Sequence, residues 1–155
     1  MTELLDLGRS ILAQQPFSRI LGTEMTAYSM DGVELRLSIS DMLRQQHGFV
    51  HGGVLAYLAD NALTFAGGVA MGGGVLTSEM KLNYIRPAVG EQLVARAKSI
   101  AAGRTQGVAR CEVYVIRNGA ERLCLAAQGT VAKAAGIPVE RKPCAAVDDQ
   151  STAVA

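Results

Sequence analysis

A single carboxylate inside an otherwise apolar segment is the feature of this sequence that most directly indicates chemistry. Residues 52–71 read GGVLAYLADNALTFAGGVAM, and Asp60 is the only charged residue among them. Burying an unpaired carboxylate is costly, so it needs a hydrogen-bonding partner or a chemical role. A partly buried carboxylate can act as a general base or as a nucleophile. We therefore predict a functional Asp60, the alternative being a structural acid satisfied by local hydrogen bonds.

Two polar neighbours of Asp60 extend this candidate site. Thr64 follows Asp60 by four residues, so the two side chains share one face of a helix and line a polar seam on an apolar rod. Asn61 is a candidate for substrate contact, and the alternative is a structural amide with all its hydrogen bonds made.

The segment opens with His51-Gly52-Gly53, which supplies a complementary group. The first amides of a helix have no partner within the helix and lie at the positive end of its dipole. The Gly52 N–H can therefore bind a developing oxyanion, and Gly53 is a second candidate for substrate contact. For His51 we favour a ring that anchors the junction between loop and helix, with direct catalysis as the alternative.

Gly52 and Asp60 cannot act on one carbonyl within one chain. Eight residues separate them, which is about 12 Å along a helix, whereas both groups must approach the reacting atoms to within about 3 Å. If both act together, they belong to different subunits. The spacing predicts an obligate oligomer with equivalent sites at its interface.

The bulk composition excludes several other classes of protein. The chain has 155 residues and a net charge of +1, with no long basic run, which fits one domain and argues against nucleic acid as a partner. The cysteines, Cys111, Cys124 and Cys144, form no CxxC motif and have no metal-ligand spacing. We therefore expect reduced thiols, a cytoplasmic location and no metal site.

A membrane span is the alternative interpretation of the apolar segment. Residues 52–77 are long enough to cross a bilayer. Asp60 lies well inside this stretch, where a charge costs about 2.5–3.5 kcal/mol, and several glycines weaken the helix further. A buried helix in a protein that does not contact membranes is the better interpretation.

The remaining elements follow from hydrophobic periodicity. We predict an N-terminal helix over residues 1–16, a main domain over 17–135 and a disordered tail over 136–155. After Pro16 the stretch ILGTEMTAYS predicts a strand, Asp31-Gly32 a turn and VELRLSIS a half-buried strand.

After the apolar helix, which Gly72-Gly73-Gly74 ends, three or four long antiparallel strands follow. In VLTSEMKLNYIRP, alternation puts Leu76 on the same face as Met80. Asn118-Gly119 predicts a tight hairpin with Cys124 opposite Val113. One apolar helix and a long antiparallel sheet predict an α+β fold in which the sheet wraps around a central helix.

Three motifs in this arrangement resemble a known family. HGFVHGGVLAYLADNA, NYIRPA and GRTQGVARCEV are similar to stretches of the hotdog-fold acyl-CoA thioesterases, in the PaaI-like and 4-hydroxybenzoyl-CoA thioesterase group. The likeness covers roughly residues 17–133. It implies a hotdog fold, protomers that pair into dimers, dimers that often pair into homotetramers, and active sites between subunits.

The resemblance also implies roles for individual residues. The Gly52 N–H would bind the thioester oxygen, and Asp60 would be the nucleophile or the general base. Gln45 occupies a position that assists the carbonyl in the hydroxybenzoyl branch, where Thr64 corresponds to a threonine that positions water. Thr77 matches a Ser or Thr position in other members and is a second candidate for that role. The usual acid of the hydroxybenzoyl branch is Glu, so this chain mixes two patterns.

The expected function is hydrolysis of acyl-CoA thioesters with an aromatic or short- to medium-chain acyl group. Arg86 and Arg104 are candidates for binding the CoA phosphates. Coenzyme A is part of the substrate, and no other cofactor is expected. The alternatives are a non-catalytic acyl-CoA-binding regulatory module and a hotdog hydratase or dehydratase, to which His51 before two glycines is poorly suited.

Overall fold

One antiparallel sheet curves around a single long helix. The computed structural model describes residues 2–136. Their helices and strands are, in chain order, α1 (Thr2–Gln14), α2 (Pro16–Leu21), β1 (Glu24–Ser29), β2 (Gly32–Ser38), α3 (Gly52–Met71), β3 (Val75–Tyr84), β4 (Gln92–Ala102), β5 (Gln106–Arg117) and β6 (Ala120–Lys133). The strand order is β1-β2-β4-β5-β6-β3, with every neighbouring pair antiparallel. This is the predicted α+β architecture.

Helix α3 forms the centre of the hydrophobic core. Strands β2 to β6 all contact it. Five of its residues have no solvent exposure, namely Leu58, Ala59, Ala62, Leu63 and Ala66. The short alanines let the sheet approach the helix closely, and each buried leucine contributes about 1.5–3 kcal/mol. The helix is long and apolar enough to span a membrane, and its burial in the sheet accounts for that composition.

Both ends of α3 are capped by the residues that the sequence singles out. His51 is the N-cap, and its Nδ1 accepts a hydrogen bond from the Gly53 N–H at 2.9 Å. Gly72 ends the helix in the left-handed conformation at φ +75°. The following Gly73 N–H donates to the carbonyl oxygen of Gly68 at 2.7 Å, which satisfies one of the last helical carbonyls.

The N-terminal region contains two helices where one was predicted. Pro16 begins α2 instead of ending helical structure, because proline is compatible with the first turn, where its missing N–H is not needed. Gly22 ends α2 at φ +71°, and β1 begins only at Glu24. The prediction that the chain becomes strand-like directly after Pro16 is therefore wrong. Helix α1 packs against β1.

The two predicted hairpins differ in accuracy. Asn118 and Gly119 both have positive φ angles, 51° and 77°, as the predicted type I′ turn requires. In the first hairpin Ser29 pairs with Gly32, so the turn lies one residue earlier than predicted. There the Ser29 Oγ accepts a hydrogen bond from the Asp31 N–H at 3.1 Å.

A bulge in β3 changes which side chains face the helix. Thr77 pairs with Val131 and Glu79 with Thr130, so Ser78 is the extra residue. Leu76 is 57% exposed, and its predicted place on the same face as the half-buried Met80 is wrong. The bulge instead directs Thr77 toward α3, which matters for the site below.

The described cysteines are free thiols within the core. Cys111 and Cys124 are both buried and unpaired. The predicted pairing of Cys124 with Val113 is wrong, since Val113 pairs with Leu125 across a second register shift. The Cys124 thiol nevertheless donates to the Val113 carbonyl at 3.1 Å. Cys144 and all but the first residue of the predicted tail lie outside the described residues.

Candidate active site

Asp60 lies on the face of α3 that turns away from the core, and it is half-buried. The hydroxyl of Thr77, which comes from β3, donates a hydrogen bond to Asp60 Oδ1 at 2.7 Å. The Ser78 bulge is what points this threonine at the helix. A strand residue thus fixes the carboxylate, and the second carboxylate oxygen has no hydrogen-bond partner within residues 2–136.

Thr64 completes a polar cluster with Asp60 and Thr77. Its Oγ1 lies 2.8 Å from the main-chain oxygen of Asp60 and 2.8 Å from Thr77 Oγ1. Each hydroxyl carries one hydrogen and two acceptor lone pairs. Because the Thr77 hydroxyl donates to the carboxylate, the Thr64 hydroxyl donates either to the main-chain oxygen of Asp60 or to Thr77 Oγ1. Both hydroxyls keep lone pairs that can accept a hydrogen bond from a water molecule.

The N-terminus of α3 presents one free amide. The Gly52 N–H has no hydrogen-bond partner within the described part of the chain. The Gly53 N–H, a predicted substrate contact, donates to His51 Nδ1 and so caps the helix. Because Nδ1 accepts, a neutral His51 ring carries its proton on Nε2. This contact supports the interpretation of His51 as a helix anchor.

A tyrosine that sequence analysis missed contacts this same turn. Tyr84, at the end of β3, donates from its hydroxyl to the Gly52 carbonyl oxygen at 3.1 Å. A Cβ built on Gly52 would lie 3.4 Å from the Tyr84 ring. Hydrophobic periodicity cannot predict such a contact, because the acceptor is a main-chain atom. In the sequence, only the family motif NYIRPA indicated this region.

Gln45 lies in the loop that leads to α3. Its main chain bonds to Phe49 and Gly48, which closes a tight turn. A bridge between Arg44 and Val50 returns the loop to the start of the helix. The half-buried Gln45 side chain has no hydrogen-bond partner within residues 2–136, so its amide is available to a ligand.

Asn61 belongs to a different cluster from Asp60. Its Nδ2 lies 3.1 Å from Gln15 Oε1, 3.2 Å from Ser18 Oγ and 3.2 Å from the Tyr57 hydroxyl. The residue is 8% exposed. These contacts tie the N-terminal helices to the middle of α3. They favour the structural interpretation of Asn61 over the predicted contact with substrate.

The two candidate phosphate-binding arginines are far apart within one protomer. Arg86 lies two residues beyond the end of β3, whereas Arg104 lies in the turn between β4 and β5, near the start of β3. The ten residues of β3 separate these two ends of the sheet, which is about 30 Å. Both side chains are exposed, and neither makes an ion pair with a described residue. One protomer therefore does not bring them to the same phosphate.

Comparison with known proteins identifies the family. Residues 47–120 match the thioesterase superfamily. A thioesterase family protein from Silicibacter pomeroyi is 35% identical, with a TM-score of 0.77 over 81% of this chain and 93% of its own. This chain belongs to the thioesterase superfamily. The predicted hotdog-thioesterase resemblance is confirmed, and the class of activity is thioester hydrolysis.

Two further proteins bear on the comparison. The medium/long-chain acyl-CoA thioesterase YigI of Escherichia coli K12 is 26% identical, over 70% of this chain and 81% of its own. The PaaI protein of the phenylacetic acid degradation operon of E. coli has a TM-score of 0.74, over 84% of this chain and 96% of its own, at 18% identity. The second likeness concerns the fold alone.

Neither described cysteine is a plausible nucleophile for this thioesterase. Burial raises the pKa of Cys111 to about 12 and the pKa of Cys124 to about 11. The thiolate, which is the reactive form, is therefore scarce at neutral pH. Among residues 2–136, no group of three His, Cys, Asp or Glu side chains is arranged to hold a metal ion. Asp60 remains the reactive side chain that this geometry supports.

Proposed function

We propose that this protein hydrolyses acyl-CoA thioesters at sites formed between two protomers. The Gly52 N–H of one protomer and the Gln45 amide polarise the thioester carbonyl, and Asp60 of the partner protomer drives the attack. The observation that carries the proposal is the pairing, on one helix, of a free N-terminal amide with a carboxylate fixed by Thr77.

The helix geometry supports a site shared between subunits. Gly52 and Asp60 are about 12 Å apart along α3, so one carbonyl cannot reach both within a protomer. Strand β3 is at one end of the sheet, and an open strand edge favours pairing with another chain. Its neighbourhood also exposes large apolar side chains, with Leu76 57%, Tyr84 55% and Ile85 44% exposed. A homodimer through this edge, or a homotetramer of two such dimers, would cover them.

The reaction has two possible courses that use the same residues. With Asp60 as general base, it takes a proton from a water that Thr64 or Thr77 orients, and the hydroxide adds to the carbonyl carbon. The oxyanion is stabilised by the Gly52 N–H. The C–S bond then breaks, and the proton held by Asp60 passes to the leaving thiolate. With Asp60 as nucleophile, its carboxylate adds to the carbonyl carbon, and the C–S bond breaks to release the CoA thiolate and leave a mixed anhydride. Water then cleaves the anhydride to the free acid, which restores the Asp60 carboxylate and supplies the proton that the thiolate takes up.

The identity of the substrate is inferred from relatives and charge. YigI is named for medium- and long-chain acyl-CoA, and we propose acyl-CoA here too. Arg86 and Arg104 are exposed cations that suit the CoA phosphates, and their separation implies that different subunits supply them to one site. Two buried free thiols, Cys111 and Cys124, are compatible with a reducing, cytoplasmic location.

The hydratase alternative is disfavoured by the state of His51. Its Nδ1 is engaged in capping α3, whereas a dehydratase histidine needs a nitrogen free to accept a proton from substrate. A non-catalytic acyl-CoA-binding module does not account for the second Asp60 oxygen, which has no hydrogen-bond partner within residues 2–136 although Thr77 holds the first.

Thiol release from a panel of acyl-CoAs tests the proposal. The panel combines straight chains from acetyl to palmitoyl with benzoyl-, hydroxybenzoyl- and phenylacetyl-CoA. We expect turnover that Asp60→Asn abolishes and that the surface control Asp31→Asn retains. Saturable binding without turnover would instead favour the regulatory module, and activity surviving in Asp60→Asn would reject the assignment of the acid.

A further inference from the structure

The hydroxyl of Tyr84 contacts the turn of α3 that carries the oxyanion-binding amide. It donates to the Gly52 carbonyl oxygen at 3.1 Å. The ring also covers Gly52, since a Cβ built there would lie 3.4 Å from one ring carbon and 3.6 Å from the next. Tyr84 is 55% exposed and buries little of itself in the core. Its position is therefore better explained by what it holds than by core packing.

The peptide group between Gly52 and Gly53 is fixed at both ends. Its carbonyl oxygen accepts from the Tyr84 hydroxyl, and its N–H donates to His51 Nδ1 at 2.9 Å. Two successive glycines have unusual conformational freedom, and the N–H groups of the first helical turn lack intrahelical partners. The Gly52 N–H belongs to the preceding peptide, whose His51 carbonyl oxygen accepts from the Val54 N–H at 2.9 Å. Gly52 thus lies between two anchored peptides, and Tyr84 restrains its backbone rotation from the second of them, which limits the direction of the free N–H.

We propose that Tyr84 is a positioning residue for hydrolysis: it holds the first turn of α3 so that the Gly52 N–H points at the thioester oxygen. The inference rests on the proposed function, in which that N–H binds the oxyanion. In this assignment Tyr84 contacts neither the thioester carbonyl of the substrate nor the attacking group. It acts through the Gly52–Gly53 peptide.

The size of the effect follows from how oxyanion donors work. Such a donor is effective because it already points to where charge develops, so no reorganisation is needed during the reaction. Loss of a whole donor costs about 100- to 1,000-fold in kcat. Loosening a donor that remains present should cost less, about 5- to 20-fold, and should act on the transition state more than on substrate binding.

The test compares Tyr84→Phe with Tyr114→Phe in the full-length protein. Each change removes one hydroxyl from a tyrosine that is not fully buried. The Tyr114 hydroxyl, on β5, donates to Glu112 on the same strand at 2.6 Å. We expect Tyr84→Phe to lower kcat about 5- to 20-fold, with KM changed less than about twofold and with unaltered oligomer size and melting temperature. Tyr114→Phe should leave kcat and KM unchanged.

Several outcomes would overturn the inference. An unchanged kcat in Tyr84→Phe rejects a positioning role, and a raised KM at unchanged kcat assigns Tyr84 to substrate binding instead. Should Tyr84→Phe alter assembly, Tyr84→Leu at matched oligomer size separates the two effects, and full kcat there also rejects the role. Asp60→Asn, assayed in parallel, distinguishes the hypotheses: if it stays active, the assignment of Asp60 as the acid fails, whatever the result for Tyr84→Phe.

Discussion

The Thr77 hydroxyl holds the Asp60 carboxylate through a 2.7 Å hydrogen bond from strand to helix. The two residues are seventeen apart in sequence, and the bulge at Ser78 is what turns Thr77 inward. Without the bulge, regular alternation would place Thr77 on the face of β3 opposite to Met80, away from α3. The Asp60 carboxylate is thus oriented by a local irregularity of the sheet.

Removing this hydroxyl should impair catalysis more than folding. Thr77→Val keeps the side-chain shape and leaves Asp60 without its donor, so we expect kcat to fall about 10- to 100-fold. Thr77→Ser should retain most of the activity. Ser78→Ala is the matched control, because the Ser78 hydroxyl bonds to the Thr130 carbonyl on the neighbouring strand. Steady-state kinetics with thermal melting distinguish the two effects; equal activity in Thr77→Val and wild type would contradict this role.

His51 should be replaceable by another N-cap residue. Its Nδ1 accepts the Gly53 N–H, and asparagine caps helices equally well. We expect His51→Asn to keep near wild-type stability and turnover, whereas His51→Ala loses about 1 kcal/mol of unfolding free energy and part of its kcat. Chemical denaturation and kcat measured on both variants check this. Loss of turnover in both variants at unchanged stability would instead indicate acid–base catalysis by the imidazole.

Asn61 should matter for stability and not for substrate binding. Its amide contacts Gln15, Ser18 and Tyr57 at the junction of α2 with α3. Asn61→Ala removes hydrogen bonds from all three partners, of which Ser18 is buried, so we expect a loss of about 1–3 kcal/mol with KM unchanged. Gln128→Ala, which removes an exposed side-chain amide, is the control and should change neither the free energy of unfolding nor KM. A raised KM in Asn61→Ala at intact stability would restore the substrate-contact interpretation.

Glu34 should make stability depend on acid pH. Burial disfavours its charge, but hydrogen bonds from Thr26, Arg96 and Arg36 outweigh burial and lower its pKa from 4.5 to about 2. The unfolded chain binds this proton near pH 4.5 and the folded chain only near pH 2. The stabilisation is therefore complete above pH 4.5 and is lost as the pH falls toward 2.

The check is urea unfolding of Glu34→Gln and wild type between pH 3 and pH 7. We expect the variant to be less stable by roughly 1–3 kcal/mol at pH 7, with the difference shrinking as the pH falls below about 4.5. Glu24→Gln, an exposed acid on the adjacent strand β1, should show no such convergence. A difference that is constant with pH would contradict the assignment.

Much of this architecture is encoded in local sequence, and the exceptions have physical reasons. The apolar run of α3 and the Asn118-Gly119 turn were predictable because composition and turn geometry act within a few residues. Pro16 was misleading since proline can begin a helix as well as end one. The Ser78 bulge depends on pairing with β6, which lies about fifty residues later, and no local pattern specifies it.

The residues of the candidate site likewise fall into those that the sequence indicates and those that it does not. Asp60 and Gly52 stand out in sequence because a lone acid and a glycine pair are conspicuous in an apolar helix. Tyr84 does not, because its partner is a main-chain oxygen and its own residue type also suits a strand. The engagement of Asn61 with α2 was hidden because α2 itself was not predicted.

Mixed oligomers offer the most direct test of a site shared between protomers. Gly52→Pro removes the N–H that is the proposed oxyanion donor. Proline is compatible with the helix at this position, because Gly52 is the first helical residue. His51 before it has φ −61° and ψ 134°, the conformation that a residue preceding proline prefers. Gly52→Ala, which retains the N–H and adds only the Cβ, is the matched control.

Co-expression of Gly52→Pro with Asp60→Asn should restore activity that neither variant has alone. If Gly52 and Asp60 come from different chains, random pairing leaves about a quarter of all sites with both groups intact, which is one of the two sites in each mixed dimer, by the symmetry of the interface. Tagging the two chains differently and measuring thiol release from the doubly purified oligomer tests this against each variant alone. If a verified mixed oligomer remains inactive, the two residues either act within one protomer or do not act together. Because they lie about 12 Å apart along α3, one of them would then be unnecessary for the reaction.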